Sequence, residues 1–147
     1  MKRFFGKDQS IFQDKQFEFI SQSAGVGFWV WDADKNSLIL SETALFQHGL
    51  PEKPAYSLQG FLSCLHQDDR QRMESAFIEL NKPDGEFYTE YRVIWPNETI
   101  HWLISKGKMC CGAGRKKPRI EGIVIDITAR KVLENQLIEM TAEAVEA

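Results

Sequence analysis

The sequence predicts an α+β fold: a five-stranded antiparallel sheet with short helices packed on one face and a further helix at each end. Three observations predict it. Strand-like segments occur two before and three after a helical middle region. The short helices cluster between the second and third strands, which suits helices segregated to one face of a sheet. From Phe87 the chain alternates apolar and polar residues, the pattern of half-buried antiparallel strands.

Taken in order, Ile11, Phe12, Phe19 and Ile20 recur at helical spacings among Lys15, Glu18 and Gln22, predicting a helix from about Gln9 to Ala24 that Gly25 stops. Gly27-Phe28-Trp29-Val30-Trp31 is aromatic and β-branched and reads as a strand. Asp34-Lys35-Asn36 turns the chain into a return strand, Ser37 to Leu40. Ser41 is positioned to cap a short helix that ends before Gly49, and Pro51 and Pro54 keep the next few residues out of a helix. Leu58 to Leu65 predicts another short helix. Asp68 and Asp69 open a longer one, with two carboxylates at the positive end of its dipole and Met73, Ala76, Phe77 and Leu80 on one face.

Three strands complete the sheet. Phe87, Tyr91, Val93 and Trp95 alternate with Glu86, Glu90 and Arg92 in the first. After the turn at Pro96-Asn97-Glu98, Ile100, Trp102 and Ile104 are expected to form the apolar face of the second. A loop at Gly112-Ala113-Gly114 precedes the third, Ile120 to Thr128. From Ala129 the period becomes helical, and Leu133, Leu137, Met140 and Ala144 step by four, three and four as a coiled-coil seam does. The expected organisation is a flanking helix in residues 1–24, a domain in 25–128 and a terminal helix in 129–147.

Composition narrows the function. With 147 residues, 43% apolar and 27% charged, the chain can bury a core and fits one domain. A net charge of −3 gives no pull towards nucleic acid or anionic lipid, and Arg115-Lys116-Lys117 reads as a solvated turn. No window approaches the ~20 apolar residues of a membrane span. Cys64, Cys110 and Cys111 lack disulfide or zinc spacing, so the expected location is cytoplasmic.

Several motifs resemble the PAS family. They are Gly27-Phe28-Trp29-Val30-Trp31-Asp32; His66-Gln67-Asp68-Asp69-Arg70, where the family commonly has His-Pro-Asp-Asp-Arg; Glu90-Tyr91-Arg92-Val93; and His101-Trp102-Leu103. The last, Gly122 to Lys131, is similar to the family's Gly-x-x-x-Asp-Ile-Thr-x-Arg-Lys in its C-terminal, PAC-type ending. Family order and spacing hold from about Ser23 to Lys131.

The resemblance implies a sensory module whose sheet and helices enclose a small cavity. Such a module works as a homodimer through its flanking helices and regulates an output domain in the same polypeptide. The stretch after Glu134 looks like the linker before a histidine kinase's dimerisation helices, which makes a sensor histidine kinase of a two-component system the expected owner. A diguanylate cyclase is the alternative, then a cofactor-bound redox or gas sensor. The sequence ends in the middle of this helical pattern, as a fragment would.

By the family's register, Trp29, Trp31, Phe61, Phe77, Trp102 and Val124 are the candidate cavity lining, and a small-molecule ligand stays open. Asp126 and Thr128, where the last strand becomes the helix, are the candidate output residues, with Arg130 or Lys131 as partners for the carboxylate. Leu133, Leu137, Met140 and Ala144 are the candidate dimer seam.

The cofactor is left open, with haem and flavin disfavoured. The helix from Asp69 to Leu80 holds no histidine to ligate haem, and His48 and His101 are placed on a helix end and on a strand's outer face. Cys64 lies outside the flavin-adduct motif, and Val124 stands where flavin-binding relatives carry glutamine. His66 with Asp68 and Asp69 reads as a helix start rather than a metal site. A small enzyme is the weakest reading, because no nucleophile–base pair, phosphate loop or pocketed pair of carboxylates is present, and no catalytic residue is expected.

Overall fold

The computed structural model describes residues 15–110 and 119–146. Its elements are α1 (Lys15–Ala24), β1 (Val26–Asp32), β2 (Ser37–Leu40), α2 (Glu42–His48), α3 (Leu58–Leu62), α4 (Gln67–Leu80), β3 (Glu86–Ile94), β4 (Ile100–Cys110), β5 (Arg119–Asp126) and α5 (Thr128–Glu146). The expected start of the first helix at Gln9, the loop at Gly112-Ala113-Gly114, the basic run Arg115-Lys116-Lys117 and Cys111 lie outside the described residues.

The five strands form one antiparallel sheet in the order β2-β1-β5-β4-β3. The expected α+β architecture is the one observed. Local chemistry sets the helix starts. Ser41 Oγ accepts the N–H of Ala44 and that of Phe28, so one hydroxyl caps α2 and ties it to β1. Ser57 Oγ caps α3 through Gly60. Asn36 takes the left-handed conformation of the β1–β2 turn, and its Oδ1 accepts from Leu58 N at 2.9 Å.

The core lies between the sheet and α2–α4, built on Trp29, Trp31, Leu38, Leu40, Phe61, Met73, Phe77, Leu80, Phe87, Tyr91, Leu103 and Val124. A smaller cluster, Val30 and Ile39 with Phe28 and Ala55, occupies the opposite face. At the sheet centre Gly107 and Gly122 pair with each other, and the Trp29 indole lies over both. A Cβ would fall 2.4 Å from the ring at Gly107 and 2.2 Å at Gly122, so only glycine lets the ring lie there.

Two expectations need correction. The helix expected over Leu58–Leu65 ends at Leu62. Arg70 Nη2 and Nε take the carbonyls of Ser63 and Leu65, and Leu65 bridges to Val93 instead of continuing the helix. In β4 the core-facing residues are Leu103, Ser105, Gly107 and Met109, not Ile100, Trp102 and Ile104. Register decides this: buried Tyr91 pairs with Leu103, while Arg92 pairs with Trp102 on the face away from the helices.

Candidate functional site

Between the sheet and α2–α4 lies a small cavity lined by Trp29, Leu38, Leu40, His48, Phe61, Met73, Phe77, Phe87, Tyr91 and Ser105. Its rings meet at angles, Trp29 on Phe87 at 5.8 Å and Phe61 on Phe77 at 5.8 Å between centroids. They fill most of the space, leaving ≈ 10 Å³ for the centre of a water-sized guest, room for about one water molecule. As packed, these residues do not fit haem or flavin.

One wall is polar. His48 is fully buried, with Nδ1 at 2.7 Å from the Ala44 carbonyl and Nε2 at 2.7 Å from the Tyr91 hydroxyl, which lies 2.9 Å from Ser105 Oγ. A carbonyl only accepts, so Nδ1 carries the proton and Nε2 accepts from Tyr91. The Tyr91 proton is thereby committed, and Ser105 must donate to the Tyr91 oxygen. Burial holds the imidazole down at about 4, against a smaller upward pull from the Ala44 carbonyl. Both ring nitrogens are engaged, and neither is free to ligate a metal. Burial also pushes the Cys64 thiol up to about 12, so it is not a poised nucleophile.

The second feature is the junction between β5 and α5. Asp126 Oδ1 accepts the Thr128 N–H at 2.8 Å and the Thr128 hydroxyl at 2.6 Å, and Thr128 Oγ1 accepts the Trp102 N–H at 2.9 Å. The first turn of α5 is thus fastened to β4. Arg130 and Lys131 do not pair with Asp126. They close on Glu90, at 2.8 and 2.6 Å. The Lys131 hydrogen bond, reinforced by both cations against modest burial, holds the Glu90 carboxyl below the usual range.

His66 caps α4, its Nδ1 accepting the Asp68 N–H at 3.1 Å, while Asp69 accepts three hydrogen bonds from Arg92. Among the described residues no group of three or more His, Cys, Asp or Glu is placed to hold a metal ion, and no helix is long and apolar enough to cross a membrane.

A family model described as the PAS fold matches residues 50–124, just over half the chain. The chain belongs to the PAS family. This PAS domain is 28% identical over 123 residues to the sensor protein FixL of Bradyrhizobium diazoefficiens, covering 84% of the chain and 24% of that protein. It is 27% identical over 128 residues to a blue-light-activated histidine kinase of Brucella anthropi, covering 87% and 26%. The chain therefore spans about a quarter of the length of these relatives.

A solved sensory box histidine kinase/response regulator from Burkholderia thailandensis superposes with a TM-score of 0.69 at 24% identity, over 90% of this chain and 100% of that one. The N-terminal domain of a diguanylate cyclase with a PAS/PAC sensor from Marinobacter aquaeolei gives 0.62 at 11%, over 72% and 98%. These likenesses show the fold.

Within the PAS domain, Trp29, Phe61 and Phe77 of the six cavity candidates line the cavity. Trp31 and Val124 are buried in the core on the same face, outside the lining. The Trp31 Nε1 there has no hydrogen-bond partner. Trp102 is a correction: it lies on the opposite face, its ring 5.3 Å from Arg92 and 4.9 Å from Lys131. His101 is another, since it pairs with buried Val93 and so lies on the helix side at the sheet's end, stacked on Trp95 at 3.7 Å.

The sequence reading missed His48, Tyr91, Ser105 and Glu90. For Glu90 a signal was present, a carboxylate in a strand paired in the family's motif order with basic residues after the last strand. For His48 there was none. The seam residues Leu133, Leu137, Met140 and Ala144 are all exposed on α5.

Proposed function

We propose that this PAS domain is the regulatory input segment of a cytoplasmic sensor histidine kinase. It has no catalytic chemistry of its own. It joins a second copy along α5 and passes changes at the cavity wall, through Asp126 and Thr128, to an output domain of the same polypeptide. The observation that carries this reading is the course of α5. The helix starts at a junction hydrogen-bonded to the sheet and then exposes Leu133 at 60%, Leu137 at 58% and Met140 at 65%, on the four–three spacing of a two-helix seam.

The relatives, a sensor protein and a histidine kinase of which the matched residues cover about a quarter, support the choice of output. The cavity, walled by Trp29, Phe61 and Phe77 with Trp31 and Val124 behind, is the reading's site for a small uncharged guest. A diguanylate cyclase is the second reading, since an exposed helix such as α5 would lead into that output as readily.

Sedimentation equilibrium tests the seam. Leu133→Glu with Leu137→Glu is expected to weaken self-association at least ~10-fold, because two apolar contacts are lost. An unchanged dissociation constant would remove α5 as the interface. Asp126→Ala in the full-length parent tests the junction: stimulus-dependent autophosphorylation should become stimulus-independent, and normal regulation would remove Asp126 from the mechanism.

A further inference from the structure

Helix α4 carries Asp69, Met73 and Phe77 at steps of four, so all three share one buried face. Met73 and Phe77 are cavity wall, while Asp69 lies at the helix start against the edge strand β3. Any movement of the wall that carries α4 as a rigid rod therefore also moves Asp69.

Asp69 is not loosely held. Its Oδ2 accepts from Arg92 N at 2.8 Å and Arg92 Nε at 3.0 Å, and its Oδ1 accepts from Arg92 Nη2 at 2.8 Å. Burial would raise its carboxyl, but these bonds and the charges of Arg92 and Arg72 outweigh it and hold it below the usual range. Arg92 alternates onto the outer face of β3, opposite Trp102, and its guanidinium reaches Asp69 from there. The same guanidinium stays 5.3 Å from the Trp102 ring.

That ring has a second cation, Lys131 on the first turn of α5, at 4.9 Å. Lys131 divides its charge among the ring, Glu90, whose other oxygen holds Arg130, and Glu134 of its own helix at 3.7 Å. The contacts run without a gap from the cavity-lining helix to the output helix, outside the core.

We propose that Asp69, Arg92, Trp102, Lys131 and Glu90 form a line of ionic and cation–ring contacts that couples the position of α4 to the seating of α5, with Arg72 as a side link from Asp69 at 3.5 Å to the Glu90 carbonyl at 2.8 Å. When Asp69 shifts, Arg92 moves with it, because two hydrogen bonds from its guanidinium fork and a third from its backbone N–H leave it little independent freedom. Its approach to Trp102 then changes, and with it the field felt by Lys131. The ammonium redistributes between ring and carboxylate, and the first turn of α5 loosens or tightens on β3. The significance of this line for signalling rests on reading the domain as an input segment. The coupling itself is a property of the 147-residue chain alone, so it can fail while that reading stands, or stand while that reading fails.

The test is a double-mutant cycle in residues 1–147 between Asp69→Asn and Lys131→Met, read as unfolding equilibrium constants from urea titrations. The two residues are joined through Arg92 and Trp102, and non-adjacent sites without such a link combine to within about twofold. A coupling of about threefold or more supports the proposal; additivity within about twofold overturns it.

Where Asp69→Asn does not unfold cooperatively, Asp69→Glu keeps the charge, displaces it by one methylene and closes the same cycle. A second readout separates coupling from plain loss of stability. In protein carrying 5-fluorotryptophan, the Trp102 fluorine resonance, assigned through Trp102→Phe, should move in both Asp69→Glu and Lys131→Met while that of Trp95, which packs on Phe46 and His101, stays fixed. A Trp102 resonance indifferent to Asp69 would overturn the proposal whatever the cycle gave.

Discussion

Acidification should destabilise this protein well above the pH at which its surface carboxylates protonate, because the fold favours the neutral form of His48. The perturbation is a pH decrease from about 7.5 to about 5. The unfolded chain takes up the imidazole proton near 6.5, whereas burial defers uptake in the folded state to about 4. Between those values the unfolded state holds more protons, so stability rises with pH. The contribution is complete above 6.5, is lost progressively as pH falls towards 4, and changes no further below that. A shift of this size corresponds to roughly 3 kcal/mol in all, of which roughly 2 kcal/mol is lost by about pH 5.

Asp69 and Glu90, both held below the usual carboxylate range, contribute stability that disappears only at lower pH, as protons reach them in the folded state. The assay is a set of urea unfolding curves for the wild type and for His48→Phe with Tyr91→Phe. That pair removes both ends of the buried hydrogen bond, which spares the cost of stranding one of them. The wild-type curve minus the variant curve isolates the imidazole. A difference that stays flat within about 0.5 kcal/mol across this range would refute a buried neutral His48.

The packing yields two further expected outcomes. Gly122→Ala places a methyl where the Trp29 ring lies, 2.2 Å away, and should lower stability by about 1–3 kcal/mol in thermal unfolding; an unchanged midpoint would mean that the ring moves freely. Ser41→Ala strands the N–H groups of Phe28 and Ala44 together and should cost about 2 kcal/mol by urea titration, with Ser41→Thr recovering most of it.

Much of the fold was legible because its signals are local. The aromatic run of β1 alternates correctly, so that Trp29 and Trp31 face the helices as read. The starts of α2 and α4 are set by Ser41 and by the acidic pair after His66. In β4 local reasoning failed for a physical reason: the strand is apolar on both faces, with Leu103 inward and Trp102 and Ile104 outward. Its next inward residues, Ser105 and Gly107, are small and so look like surface. Ser105 is there for the Tyr91 hydroxyl and Gly107 for the Trp29 ring, partners supplied by other strands.

The candidate site was less legible because its bonds are long-range. His48 meets Tyr91 across 43 residues, and Glu90 meets Arg130 across 40. The exposed apolar side chains of α5 were readable from their period, since a regular helical spacing needs no knowledge of the rest of the molecule.

The Trp29 indole spread over Gly107 and Gly122 has a consequence for how this fold can diversify. Most cavities are sized by many walls at once, so enlarging one means repacking several. Here a flat plug rests on bare backbone, and the space it fills belongs to position 29 alone. A smaller side chain at that position would uncover a slot with a peptide floor and aromatic sides, shaped for a planar molecule, while the sheet beneath kept its hydrogen bonds. The chamber is a single substitution from a different capacity, and the paired glycines are what keep that option open.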